Sequence, residues 1–440
     1  MPNKRPAVSG SPARQVAEHL RRGFGGILES RKAFLILVST ALLCKIALSI
    51  FSPASYDMQT MLWSSPSSGP WTLLDSKLLS VWQSSTHSNF NLWWVTPPAA
   101  MTPELGLLAL LIRSPLLLFD VGIGVVLYFL SWRLKPSKAL ARLVSLAWFL
   151  NPYTILGIEM LGDPDVAVVF LTVCAVLLLL YKRFLFASLV LAAGTALKLY
   201  PILLLPPILL YTRAVGTRRQ FRTVVLLTVL GVIGYLSWVI EDLLSLVYNP
   251  RALLEYAPYT QSIKPFIESS FGIQISLLSV VLIILYTVTW TFAGRIRVDY
   301  MLNQTILPVL LVFFAFADPY PQYLVWALPF LTIDVVLVNR RNLGLLISML
   351  ALMFVWGLMA FTGYLTPSGY NLLLIQLQGG NLPWYSNALE AALGNKITGL
   401  LFPFIKAGFS AACFVYALNI IRHWFQTKNP ALMKVGQRIR

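Results

Sequence analysis

Charged residues are scarce in this sequence. They make up 12% of its 440 residues, whereas 57% of the residues are hydrophobic. Soluble globular proteins carry about 25% charged residues, so this composition argues against a soluble fold. Within a bilayer only helices and closed barrels satisfy all of their own backbone hydrogen bonds. We therefore predict an all-α polytopic membrane protein.

Cysteine and histidine are also rare, with three of each in the chain. Cys44, Cys174 and Cys413 all fall within apolar runs, so we expect small core side chains rather than a disulfide framework. The histidines show no spacing typical of a zinc site. The chain also lacks a convincing internal repeat, on which many transporters are built.

Long apolar runs, in contrast, are abundant. A helix needs about 20 apolar residues to cross a bilayer, and we predict about 12 spans, with a range of 10–13. Residues 33–421 would form one transmembrane domain between two basic tails, residues 1–32 and 422–440. The predicted spans are 33–52, 107–132, 142–158, 165–181, 184–200, 201–212, 223–240, 272–292, 301–317, 322–338, 343–363 and 398–421.

Basic residues outnumber acidic residues by 34 to 17, and they collect in alternate connections. If every run crosses once, all basic connections lie on the same side as both termini, which the positive-inside rule assigns to the cytosol. Membrane topology thus accounts for the net charge of +17, and we expect no nucleic-acid partner. The basic connections lie near residues 133–142, 182–183, 213–222, 295–297 and 340–341.

Acidic residues collect on the opposite, external face. A long first loop, about 53–106, begins with Asp57, whose carboxylate at the membrane surface could serve as a general base. The stretch NPYTILGIEMLGDPD at 151–165 holds Glu159, Asp163 and Asp165. One acid would suffice to cap a helix, so we expect the others to bind sugar hydroxyls or a metal. For Asp57 the alternative is a solvated acid at a helix end.

Two external lysines are candidates for binding a phosphate. Lys198 stands in LKLYP, where closely spaced prolines rule out a regular helix. A broken helix at membrane depth is tolerated mainly where it lines a cavity. Lys264 lies in the external stretch SIKPFIESSFGIQ at 262–274. The alternatives are a snorkelling side chain for Lys198 and an ordinary interfacial loop for Lys264.

Three further residues complete the candidate site. Gln322 and Tyr323 begin a span directly after the proline-rich turn of DPYPQYLVW at 318–326. The aromatic residues of that stretch could also form part of an interfacial belt. Arg113 lies seven residues before Asp120, so it either pairs with that acid or binds an anion at the membrane surface.

In their order along the chain, these stretches resemble membrane glycosyltransferases of the GT-C class. More narrowly, they are similar to the mannosyltransferases that use polyprenol-phosphate mannose, which include the first mannosyltransferase of GPI-anchor assembly and its prokaryotic relatives. The likeness covers about residues 40–330. It is carried by Asp57, Asn151-Pro152 to Gly162-Asp163-Pro164-Asp165, Lys198-Leu199-Tyr200-Pro201 and Gln322-Tyr323-Leu324-Val325-Trp326.

The resemblance implies a GT-C-like bundle with short helices in its external loops. It also implies transfer of a sugar, mannose first among the candidates, from a polyprenyl- or dolichyl-phosphate donor to a lipid or glycan acceptor, with inversion. Asp57 would be the base. Lys198, Arg113 and Lys264 would bind the donor phosphate, whereas Asp163, Asp165 and Glu159 would bind sugar hydroxyls. The matching Tyr200, Gln322 and Tyr323 would contact substrate.

The resemblance leaves several points open. Family members often have a second acid two residues after the first, where Gln59 stands here, so a divalent metal is an open question and no other cofactor is implied. A small membrane partner subunit is also open. The enzyme would work in the endoplasmic reticulum membrane of a eukaryote or the plasma membrane of a prokaryote. A nucleotide-sugar donor is disfavoured because the sequence has no glycine-rich phosphate loop.

Three alternatives remain from the sequence. A lipid-linked sugar flippase would carry polar residues across the whole membrane depth. A GT-C enzyme could use another polyprenyl-phosphate sugar. A non-catalytic membrane subunit would need no cluster of external acids beside a broken helix.

Overall fold

The computed structural model describes residues 28–51, 103–155, 164–248, 272–317, 321–363 and 395–426. Its regular elements in these segments are all helical, which confirms the all-α class. Most of both predicted tails and of the first external loop lie outside them. The twelve described α-helices of six or more residues are α1 (Arg31–Phe51), α2 (Pro103–Leu134), α3 (Lys138–Phe149), α4 (Asp165–Leu180), α5 (Phe184–Leu197), α6 (Leu205–Val215), α7 (Arg218–Tyr248), α8 (Gly272–Phe292), α9 (Val298–Phe316), α10 (Leu328–Ile333), α11 (Leu343–Gly363) and α12 (Asn395–Gln426).

Among the described helices, six are long and apolar enough to cross a membrane, namely α1, α2, α7, α8, α9 and α12. Shorter apolar helical segments of 10–17 residues include α4 and α5. Two more continue through distorted turns: Tyr200–Leu204 is a 3₁₀ helix before α6, and Asp334–Val338 is a π-helical turn after α10. The helices support a multi-pass membrane protein.

Helix α9 forms the centre of the bundle. Its apolar window is 72% buried, against 17–44% for the other five long helices, and it packs against α6, α8, α10 and α12. The outer helices instead expose large apolar side chains. Ile36 of α1, Ile233 of α7 and Ile283 of α8 are all more than half exposed. Water would disfavour such a surface, whereas lipid tails solvate it well.

Small residues allow two neighbouring helices to approach closely. A Cβ atom on Gly231 of α7 would lie 2.5 Å from the backbone oxygen of Ala192 in α5. No side chain other than hydrogen fits there without moving backbone. Close contacts of this kind are a common basis of helix association in lipid, where apolar burial offers little gain.

The predicted span 142–158 is wrong as a continuous helix. Helix α3 ends at Phe149, and Asn151 adopts an extended conformation whose side chain accepts a hydrogen bond from the Tyr153 amide. Pro152 explains the interruption, because the residue before a proline is driven out of the helical region. The 12 residues of α3 span about 18 Å, which is less than the hydrocarbon core of about 30 Å.

Candidate functional site

The carboxylate of Asp165 is the centre of a polar cluster at one end of the bundle. Asp165 is the first residue of α4, where a negative charge is favoured by the helix dipole. Its side chain is only 2% exposed. It accepts hydrogen bonds from Lys198 Nζ at 2.5 Å and 2.7 Å and from Trp326 Nε1 at 2.8 Å. Two donors from distant parts of the chain therefore compensate the burial of this charge.

Lys198 reaches Asp165 because the helix breaks at this residue. Helix α5 ends at Leu197, and Lys198 is extended, with φ −155° and ψ 139°. The chain then continues as the 3₁₀ helix Tyr200–Leu204, which has Pro201 near its start. These features confirm the predicted break. The Lys198 side chain is 32% exposed. Its ammonium group therefore contacts the buried Asp165 carboxylate on one side and remains partly accessible on the other.

Three aromatic rings surround the ion pair. The rings of Tyr200 and Trp326 are stacked with centroids 4.0 Å apart, and Tyr323 lies 4.8 Å from Trp326. Lys198 Nζ is 4.4 Å from the centroid of Tyr323 and 5.5 Å from that of Trp326. Cation–π attraction thus adds to the ion pair. We call Asp165, Lys198, Tyr200, Tyr323 and Trp326 the Asp165 cluster.

The structure brings together four of the predicted site residues, Asp165, Lys198, Tyr200 and Tyr323. Gln322 lies in the adjoining 3₁₀ helix Pro321–Trp326. The Asp165 carboxylate is buried and accepts hydrogen bonds from Lys198 and Trp326, and its direct binding of a sugar hydroxyl stays a prediction. Asp57, Glu159, Asp163 and Lys264 lie outside the described residues.

Trp326 belongs to the cluster, although the sequence analysis assigned it no role in the site. It stands within the stretch that carries the resemblance, but only its indole N–H makes it part of the charged centre. No local pattern reveals a bond between residues 161 positions apart. The feature of the sequence that could have indicated a role for Trp326 is the proline-rich turn before it.

Arg113 does not pair with Asp120, which corrects one of the two sequence-based alternatives. Its Nη1 donates to the backbone oxygen of Ser49 at 2.6 Å, and the side chain is 1% exposed. Arg113 thereby joins α2 to the last turn of α1. An arginine so deeply buried contributes to helix packing, and its role in binding phosphate stays a prediction.

Asp120 instead belongs to a buried ion pair that the sequence analysis missed. Lys45 Nζ of α1 donates to Asp120 Oδ2 at 2.7 Å, and both side chains are 0% exposed. Trp148 Nε1 of α3 donates to Asp120 Oδ1 at 2.9 Å. The available signal was a charged residue inside each of two predicted spans, Lys45 in one and Asp120 in the other, since a charge within a membrane helix generally needs a partner.

The sequence left the need for a divalent metal as an open question, and the described segments contain no cluster of side chains that could bind one. No group of three His, Cys, Asp or Glu side chains comes together there. The other acids predicted on this face, Asp57, Glu159 and Asp163, lie outside the described segments. In the described cluster the positive charge is supplied by Lys198.

A first prediction concerns the hydrogen bond from Trp326. In Trp326→Phe the ring stacking is retained but the N–H donor is lost, so the buried Asp165 carboxylate loses one partner. We expect the free energy of unfolding to fall by about 1.5–3 kcal/mol, the usual value for a hydrogen bond to a charged group. Equilibrium unfolding in mixed micelles of a mild and a denaturing detergent measures this free energy.

Trp290→Phe is the matched control for this prediction. Trp290 lies in α8 and is 42% exposed, so its replacement should change stability by less than about 0.5 kcal/mol. Equal losses in the two variants would show that the bond to Asp165 contributes nothing measurable.

The Asp165 cluster combines a partly exposed ammonium group, a buried carboxylate that orients it, and aromatic rings beside both. Such a combination is suited to an anion linked to an apolar or carbohydrate group. No protein-family model matches the chain, and no curated protein or solved structure is significantly similar to it.

Proposed function

We propose that this chain is a membrane glycosyltransferase of the GT-C class. It would transfer a sugar, mannose first among the candidates, from a polyprenyl-phosphate donor to a lipid-linked or glycan acceptor on the external face. The observation that carries the proposal is the Asp165–Lys198–Trp326 contact at a broken helix. It joins a charged group to aromatic rings at the end of an apolar bundle.

Lys198 is the proposed ligand of the donor phosphate. A compact ammonium group is well suited to a phosphate oxygen, and about a third of this side chain is exposed. Asp165 holds the ammonium from the buried side, so the anion would approach from the outside. The lipid tail of the donor would lie between helices, where the neighbouring surface is apolar.

Asp165 acts in this proposal as a positioning residue. Its two bonds with Lys198 fix the direction of the ammonium group, and its bond with Trp326 fixes the indole ring. The aromatic faces beside it could pack against the apolar side of a sugar ring. Direct bonds to sugar hydroxyls would fall to Asp163 and Glu159, as the sequence predicts.

Asp57 completes the proposed reaction as the general base. It would take the proton of the acceptor hydroxyl as the acceptor oxygen bonds to the anomeric carbon. The bond between that carbon and the phosphate oxygen breaks, and polyprenyl phosphate leaves with the electron pair. Attack from the face opposite the phosphate inverts a β-linked donor to an α-linked product.

A transfer assay in detergent tests the function. Purified protein would receive polyprenyl-phosphate mannose, glucose or arabinose, each with a radiolabelled sugar, and a glycolipid acceptor fraction. We expect transfer from one polyprenyl-phosphate sugar and none from a nucleotide sugar. Absence of transfer from all three lipid donors, with protein shown to be folded, would contradict the proposal.

A second prediction concerns Lys198 and the donor. Lys198→Ala should weaken donor binding by about 10–100-fold, which corresponds to the loss of charge-assisted hydrogen bonds, and Lys198→Arg should recover part of it. Titration with a short-chain polyprenyl-phosphate sugar measures the Kd. Lys138→Ala, an exposed lysine at the start of α3, is the control. An unchanged Kd in Lys198→Ala would remove this residue from the phosphate site.

A lipid-linked sugar flippase is the second candidate, and the Lys45–Asp120 pair favours it, because charges at membrane depth often mark a transport path. Phe119, next to Asp120, contacts Phe170 with ring centroids 5.5 Å apart. Phe170 follows Asp165 by five residues of α4, a rise of about 7.5 Å along that helix. Reconstituted vesicles distinguish the two functions. A flippase moves labelled lipid between leaflets without forming a new glycosidic bond.

A further inference from the structure

A cavity of about 440 Å³ lies at the opposite end of the bundle from the Asp165 cluster. Helix α9 joins the two: Tyr300 and Gln304 near its start line the cavity, while Phe313 and Phe314 near its end contact Trp326. The ten residues from Gln304 to Phe314 rise by about 15 Å. The cavity is therefore a separate feature, and it belongs to the face that carries the basic connections.

The lining of the cavity is basic and partly apolar. Lys135, Arg295 and Arg297 contribute three cations, His423 lies beside them, and no acidic side chain is among the described residues that line it. Leu134, Pro136, Leu337 and Val338 supply the apolar part. The nearest acid along the chain, Asp299, is 3.9 Å from Arg297 Nη2, and both side chains are more than half exposed, so this contact neutralises little of the charge.

Aromatic rings hold both guanidinium groups at the cavity. The Arg295 group lies 4.9 Å from the centroid of Phe292 and 6.0 Å from that of Phe425. The Arg297 group lies 5.3 Å from the centroid of Tyr300. Stacked guanidinium groups keep their N–H donors in a fixed fork that matches a phosphate. Less conformational entropy is then lost when an anion binds.

The wall of the cavity is supported by a buried polar contact. Asp334 accepts hydrogen bonds from Tyr416 Oη at 2.9 Å and from Asn342 Nδ2 at 3.0 Å. These bonds join the π-helical turn Asp334–Val338 to α12 and to the next connection. The elements on the two sides of the cavity are therefore joined to each other. One carries Leu337 and Val338, and the other carries His423.

We propose that this cavity binds the phosphate headgroup of an anionic membrane glycerophospholipid. Its volume falls in the usual range of about 300–1,000 Å³ for small-ligand sites. It lies at the ends of α2, α8, α9 and α12, where helices that cross a bilayer reach the headgroups, and basic pockets between helices on the cytoplasmic side commonly bind such groups. The apolar part of the lining fits the glycerol and first acyl carbons. The proposal does not depend on the transferase chemistry.

The test uses the full-length protein in one detergent, titrated with two short-chain lipids below their micelle concentrations and with a simple anion. These are dihexanoyl phosphatidylglycerol, dihexanoyl phosphatidylcholine and inorganic phosphate, with calorimetry as the readout. We expect saturable binding of the anionic lipid at one site, at least about 10-fold tighter than either other probe. Equal binding of inorganic phosphate would overturn the lipid assignment, and equal binding of the choline lipid would overturn the role of charge.

Variants localise the binding. The double variant Arg295→Gln/Arg297→Gln should weaken anionic-lipid binding by about 10-fold or more, and Lys135→Gln, an exposed single change that should leave folding intact, should weaken it less. The control Arg218→Gln/Arg219→Gln removes two exposed cations from another basic connection and should leave binding unchanged. Equal weakening in the control would reduce the result to general surface attraction and overturn the proposal.

Discussion

Asp57→Asn is expected to lower the rate of sugar transfer by about 10²–10⁴-fold, the range typical of losing a general base. Asparagine retains the size and polarity of the side chain but cannot accept the proton of the acceptor hydroxyl. Donor affinity should be largely unchanged, because this residue would contact the acceptor. The effect should therefore appear in kcat, measured with the transfer assay at saturating donor.

The control for Asp57→Asn is the same substitution at an acid of the other face. Asp299 lies in the first turn of α9 with its side chain 55% exposed, so Asp299→Asn should transfer sugar at the wild-type rate. Wild-type turnover in Asp57→Asn would remove this residue from the role of base. A fall in both variants would indicate a general effect on folding.

Lys45→Met is expected to destabilise the protein by about 3–5 kcal/mol, the range observed when one partner of a buried ion pair is removed. The Asp120 carboxylate would stay fully buried and keep only the Trp148 N–H as its described side-chain donor. Methionine fills a similar volume, so the loss would arise from charge rather than from a cavity. Equilibrium unfolding in mixed micelles measures it.

A second substitution should reverse most of this loss. In Lys45→Met/Asp120→Leu no charge is buried, and replacing a whole buried pair with apolar residues is often neutral or stabilising. Lys32→Met, an exposed lysine on the same helix, should change stability by less than about 0.5 kcal/mol. A double variant no more stable than Lys45→Met would contradict this account of the pair.

The break at Lys198 was predictable because its cause is local. Pro201 and its neighbours determine where a helix can continue, whatever surrounds them. The end of α3 before Pro152 has the same kind of cause, but the apolar run through residues 142–158 concealed it. Hydropathy averaged over a window measures how apolar a segment is, but it does not show whether the segment forms one continuous helix.

The partners of the charged residues were not predictable. Arg113 and Asp120 are seven residues apart on one helix, which made a pair between them reasonable. Each instead contacts α1, at Ser49 and Lys45 respectively. Local spacing gives the depth of a side chain along its helix but not the direction in which the neighbouring helix lies.

By itself, the sequence determined the helical class and the presence of long apolar helices, because these depend on composition and on short-range order along the chain. Tertiary structure alone decided that Asp165 is bound by Lys198 and Trp326, and that Lys45 meets Asp120. These contacts join residues far apart in the sequence. They depend on how whole helices pack around α9, where the burial of each charge requires a partner from another helix.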